Sequence, residues 1–366
     1  MSNGYPYESI SINHREVTIA SILNGTAKAK TDFERSTFEF MHAWLSGQEM
    51  FTIQTSGSTG TPKRISIHRS QMITSAKLTG EALNLRTGTS AVVALDTKYI
   101  AGMMMLVRSL ELGLKIIAVE PASNPFNNFP EGMTIGFTAL VPYQVQHVLE
   151  SKHPQILNAI STCIIGGAPL NENIEGRVRS FALNAFITYG MTETISHIAL
   201  KRISPFREQS FTCLPEISVS ADERSCLVIQ APYLHEPVIT NDVVSIFNNH
   251  QFEWRGRYDN VINSAGVKIS PELLENEIGQ LFTRRSLKQP FFFFGIPDGS
   301  LGERLVMIFE SPAPAADVIR EVKETLLRAF SAYHVPKEFY EAAAFIYTPT
   351  RKVNRQKTFE AAHRIF

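Results

Sequence analysis

Between Gln54 and Arg64 the chain reads TSGSTGTPK. Gly57, Gly60 and Pro62 preclude regular structure there, while Thr55, Ser56, Ser58, Thr59 and Thr61 set hydroxyls beside exposed backbone N–H groups, and Lys63 closes the run. That inventory suits an oligophosphate, whose charge several neutral donors and one ammonium can share. The Walker spacing is absent, because counting from Gly57 puts Pro62 where the second glycine is required. A dinucleotide fingerprint is excluded too, since no G-x-G occurs and the stretch leads into RISI, a strand pattern. Further residues able to do chemistry are Glu193 after Thr192 in YGMTET, Asp242 in TNDVV, Arg257 and Asp259 in RGRYDN, and Lys352 in RKVNR. Taken singly each has an ordinary reading: a surface loop, a helix-terminal acid, a turn acid, an exposed loop pair, a solvated basic patch.

The elements that must position these groups follow from hydropathy. Strand patterns at 51–54, 91–95, 115–119, 161–167 and 185–190 alternate with helical patterns at 70–85, 100–112, 141–150 and 171–182, which predicts crossover helices over a largely parallel sheet. Beyond about residue 205 CLVIQ, DVVSIF and HQFEW are strands without helices, so a β-rich subdomain is expected. After RGRYDN a hairpin over 260–270 leads to a helix from Pro271 to about Thr283, then PFFFFGI, RLVMIF, a helix over 315–330 and a last strand over 342–347. The fold class expected is α/β: a large N-terminal domain, 1–258, and a small α+β C-terminal domain, 259–366, with the boundary at Tyr258 and Asp259.

Composition narrows the partners. The chain has 366 residues, 44% of them hydrophobic, and balances 35 Lys+Arg against 35 Asp+Glu, so no basic excess draws it to nucleic acid or an anionic membrane. Phosphate chemistry must then be local. Cys163, Cys213 and Cys226 are scattered, which suggests neither disulfides nor zinc and fits a reducing cytoplasm. The start lacks a signal-peptide pattern, and Asp96, Lys98 and Arg108 interrupt the most apolar stretch, so no membrane span is expected.

Taken together and in order, the segments resemble the adenylate-forming superfamily of acyl-CoA synthetases, luciferases and peptide-synthetase adenylation domains. TSGSTGTPK (55–63) is similar to its phosphate loop, YGMTET (189–194) to its adenine and magnesium motif, and TNDVV (240–244) to its ribose-binding motif. RGRYDNVINSAGVKISPELLE (255–275) is similar to its hinge and pantetheine-side motif, and RKVNR (351–355) to its terminal GKxxR. The resemblance implies that the loop and Lys63 hold the β and γ phosphates of ATP, that Thr192 contacts phosphate and that Glu193 carries Mg²⁺. Tyr189, followed by Gly190 and Met191, would stack on adenine, with Gly166, Gly167 and Ala168 as the other wall. Asp242 would grip both ribose hydroxyls and Arg257 would touch the ribose. Asp259 would be the pivot, Lys352 the catalytic lysine bridging the acid and the α-phosphate, Gly266 a glycine permitting close backbone approach, and Lys268 a CoA contact. Two departures stand out: Asn241 replaces the usual glycine and is read as tolerated through the left-handed conformation, and Arg351 replaces another.

Within the superfamily the short length, DTKYIAGMMMLVRSL (96–110) and YGMTETISHIAL (189–200) are most similar to o-succinylbenzoate–CoA ligases of menaquinone biosynthesis. Tyr99, Gly102, Met103, Ser196 and His197 then flank the acid pocket, with His197 read either as a partner of the benzoate or as a satisfied core histidine. Another aryl- or acyl-CoA ligase, an enzyme that loads a carrier protein, and a non-catalytic nucleotide binder stay open. The implied partners are ATP, CoA and a small carboxylic acid, and a homo-oligomer stays open.

Overall fold

The computed structural model describes residues 5–54, 64–130, 132–170, 172–347 and 353–366. Among them the largest sheet has thirteen strands, in the order Ser218–Ala221, Cys226–Gln230, Val238–Asn248, Gln251–Arg257, Phe211–Cys213, His197–Ser204, Asn184–Gly190, Ile160–Ile165, Ile135–Leu140, Ser90–Val93, Lys115–Ala118, Ser9–Ile12 and Arg15–Thr18. The strands from Asn184–Gly190 to Ser9–Ile12 pair in parallel, with Ile100–Glu111, Pro142–Glu150 and Glu172–Val178 as crossovers. From His197–Ser204 outward every pairing is antiparallel, so the β-rich stretch continues the same sheet edge to edge.

Local chemistry explains the elements that carry the site. The helix Ile100–Glu111 buries Met104, Met105, Leu106, Val107 and Leu110 and so is covered on nearly all sides. Gly102 lets it pass the backbone of Asp96, whose carbonyl oxygen would lie 2.3 Å from a Cβ. Thr138 donates its hydroxyl to the Val92 carbonyl at 3.0 Å, which satisfies a fully buried polar side chain in the strand Ile135–Leu140.

The second sheet contains Val267–Ile269, Ile262–Ser264, Gly302–Glu310, Glu338–Ala342 and His363–Arg364, with Phe291–Asp298 pairing beside Gly302–Glu310. FFFF reads as one apolar run because both faces are covered. Phe293 packs with Phe309 and Phe339 beneath the helices Pro271–Arg284 and Ala316–Ala329, while Phe292 turns the other way onto Phe345. The strand expected over 342–347 ends at Ala342; Phe345 instead folds onto Phe292, with ring centroids 5.1 Å apart, and Tyr347 forms a lone bridge to Val353. The helix expected over 171–182 runs from Glu172 to Val178, and just beyond it the Ser180 hydroxyl donates to the Arg177 carbonyl at 2.8 Å. The large sheet's strand ends at Arg257, a single 3-10 turn spans Tyr258–Asn260, and the small sheet begins at Ile262.

Candidate active site

The carboxyl end of Asn184–Gly190 is one corner of the candidate site. Tyr189 lies edge-on to Phe211 and Phe252, at centroid distances of 5.8 and 5.1 Å, and its hydroxyl donates to Asp242 Oδ2 at 2.7 Å. Burial and then the Asp242 charge push the Tyr189 phenol far above its ordinary range, so it keeps its proton and remains a donor. Asp242, 6% exposed, sits opposite Arg257 in the strand register and accepts from Trp254 Nε1 at 3.0 Å and Arg257 at 3.5 Å, both on Oδ1. With roughly two lone pairs per carboxylate oxygen, one position stays open on Oδ2. Gripping both ribose hydroxyls, as expected of Asp242, asks for more positions than this arrangement leaves open. It has room for one, and a second would displace Arg257, whose contact is the longest of the set.

Past Gly190 the chain makes one 3-10 turn, Thr192–Thr194, that sets Glu193 out on the surface. The Thr194 hydroxyl accepts the Met191 N–H at 3.0 Å, and Ile195 leaves the turn at φ 66°, an outlier for a β-branched residue. Gly190 is required because a Cβ there would lie 2.4 Å from His197 Cα and 2.5 Å from the Ser196 carbonyl oxygen. Among the described residues no group of three or more His, Cys, Asp and Glu could hold a metal. One exposed carboxylate fits a magnesium ion that takes its other ligands from phosphates and water, and does not fit an all-protein cage. Gly166, Gly167 and Ala168 form the turn after Ile160–Ile165, next in the sheet to Tyr189's strand.

Beside the residues expected to flank the acid pocket, the sequence reading passed over Arg108. Arg108, 2% exposed, projects from Ile100–Glu111 and donates to Ser196 Oγ at 2.5 Å, with His197 Nδ1 at 3.4 Å. Its Nε has no partner and no carboxylate pairs with it among the described residues. Burial pulls the guanidinium down to about 10. Arginine only donates, so His197 Nδ1 must accept and its proton belongs on Nε2, which reaches Thr79 Oγ1 at 3.3 Å; that hydroxyl in turn donates to the Ser75 carbonyl at 3.0 Å. Burial, then Arg108, hold the His197 imidazole well below its ordinary range. Of the two readings of His197, this arrangement supports the satisfied core histidine, neutral and bonded on both ring nitrogens. Tyr99 is exposed at the helix start, Gly102 is buried and Met103 half-buried along it, and Ser196 stays partly exposed. The missed signal was a single arginine in GMMMLVRSL, where burying a charge without an acid beside it is costly.

Thr55 to Lys63, and Arg351 with Lys352, lie outside the described residues. The strands Met50–Gln54 and Arg64–His68 that flank the former pair antiparallel, with Gln54 opposite Arg64. Beyond the latter, Arg355 grips both oxygens of Glu275 at 2.9 Å and donates to the Phe293 carbonyl at 3.0 Å. Gly266 takes φ 82° with nothing within 4 Å of a Cβ, so its backbone makes a left-handed turn that stands open. Lys268 is exposed on the neighbouring strand.

Residues 8–219 match the family model described as AMP-binding enzyme. An acyl-CoA synthetase (AMP-forming)/AMP-acid ligase II-like protein from Dyadobacter fermentans has 37% sequence identity over 92% of this chain and 97% of its own, with a TM-score of 0.62. The 2-succinylbenzoate–CoA ligase of Haemophilus influenzae is 24% identical over 71% of this chain, which spans 59% of that relative's length. The o-succinylbenzoate coenzyme A synthetase of Bacillus subtilis, solved with ATP and magnesium ion, shares the fold at 18% identity and a TM-score of 0.71, over 84% of this chain and 69% of its own.

Proposed function

Because the chain belongs to the AMP-binding enzyme family, we propose that it is an AMP-forming acid–thiol ligase whose acid carries a second carboxylate, with o-succinylbenzoate converted to o-succinylbenzoyl-CoA. The observation that carries the choice of acid is Arg108. A buried guanidinium without a counter-ion is costly, and a spectator carboxylate reaching Arg108 and the Ser196 hydroxyl would supply the missing charge. A monocarboxylate would leave it unpaired.

The chemistry runs in two displacements. A carboxylate oxygen of the acid attacks the α-phosphorus of ATP, and pyrophosphate departs with the electron pair of the broken P–O bond. The CoA thiol, losing its proton, then attacks the acyl carbon and AMP leaves. Tyr189 and Asp242 place the ribose, since the phenol takes one lone pair of Asp242 Oδ2 and leaves the other for a hydroxyl. Thr55 to Thr61, Lys63 and Thr192 take phosphate oxygens. Lys352 bridges the acid and the α-phosphate, where charge grows towards the transition state. Magnesium on Glu193 would neutralise phosphate charge. The 259–366 portion turns about Asp259 between the displacements, withdrawing Lys352 and presenting Gly266 and Lys268 to the thiol arm.

Calorimetric titration of o-succinylbenzoate and of benzoate into the native protein and Arg108→Gln tests the reading. The variant should lose about 30-fold or more of its affinity for the dicarboxylate, as for removal of one partner of a buried charge pair at about 2 kcal/mol, and keep that for benzoate within about threefold. Equal losses for both acids, or none, would overturn it.

A further inference from the structure

Asn241 stands within the strand Val238–Asn248 and takes no positive φ, so the left-handed tolerance expected of it explains nothing. Its side chain is fully engaged instead. Nδ2 lies 3.1 and 3.3 Å from the two carboxylate oxygens of Asp259, and Oδ1 accepts from Arg224 at 3.0 Å. Arg224 is itself fixed by Asp222 at 2.9 Å and the Thr240 carbonyl at 3.2 Å, and lies 5.3 Å from the Tyr258 ring. On its other side Asp259 receives Arg257 at 2.7 Å, and Arg257 also reaches Asp242. One polar chain thus runs Asp222, Arg224, Asn241, Asp259, Arg257, Asp242.

We propose that Asn241 is a positioning residue that latches the pivot: it holds the Asp259 carboxylate against the large sheet, and the ease of turning is set by that amide. The proposal rests on the reading of Asp259 as the pivot. Glycine at 241 would cut the polar chain in two, leaving Asp259 with Arg257 alone. Asp259 is 52% exposed, so the amide acts across a partly solvated gap and its effect is graded, a shift in the population of unlatched molecules.

Limited trypsin digestion reads the latch, because the Arg257–Tyr258 bond lies inside it and cleavage follows the population of the open form. Fragment masses report that bond alone. Asn241→Gly should raise its cleavage rate about 3- to 10-fold, with a melting temperature within about 2 °C of native, and Asn241→Asp, which sets two carboxylates face to face, at least as much. Combining Asn241→Asp with Asp259→Asn restores a donor and an acceptor across the gap and should recover protection. A native cleavage rate in Asn241→Gly, or a double variant no better protected than Asn241→Asp, would overturn the proposal. Pyrophosphate release measured on the same samples keeps the outcomes apart: an inactive native protein would count against the ligase reading, while the digestion still decides the latch.

Discussion

Arg108 shapes its neighbours as much as any ligand. Its donors fix the tautomer of His197, and its charge adds to burial in keeping that ring neutral. A stability consequence follows. The unfolded chain protonates this histidine near pH 6.5, whereas the folded protein refuses the proton until well below that. Between those values the unfolded state binds more protons, so stability falls as pH drops below about 6.5. His197→Gln removes the difference. Denaturant unfolding at pH 7.5 and 5.5 should show the native protein losing up to about 1.4 kcal/mol more than the variant over a full pH unit below 6.5; parallel losses would contradict the buried neutral histidine.

At the scale of elements, the pairing of Asn184–Gly190 with His197–Ser204 joins the two ends of the site, one carrying Tyr189 and the other leading out from Ser196. The strands come together through the missing side chain of Gly190. Gly190→Ala should cost about 1–3 kcal/mol in unfolding free energy and weaken acid binding, since backbone at Ser196 and His197 must give way; native stability would refute the close approach. The same elements explain what could be read in advance. Alternating apolar runs and helical periods gave the crossovers, because a buried parallel strand leaves a strong local pattern. His197–Ser204 was not read, since Lys201 and Arg202 break its alternation; their charged ends lie over the Phe211 and Phe186 rings. The helix Asp32–Leu45 went unread although Phe33, Phe38, Met41 and Leu45 recur on one face.

For the whole molecule, the site draws on residues that meet only through the fold. Tyr189 and Asp242 are 53 positions apart, Arg108 and Ser196 are 88, and Asn241 and Asp259 meet across strand ends. Motif order placed Tyr189, Glu193, Asp242 and Arg257 in one expected nucleotide site without showing who bonds whom. Arg108 stayed hidden because a charge inside an apolar helix looks like an interruption until its burial is known. Among the described residues no helix is long and apolar enough to cross a membrane. The proposed ligase chemistry is tested most directly by pyrophosphate release with ATP and Mg²⁺ across o-succinylbenzoate, benzoate and fatty acids, with and without CoA. The expected result is turnover selective for o-succinylbenzoate and stimulated by CoA; preference for a monocarboxylate, or no release with any acid, would contradict it.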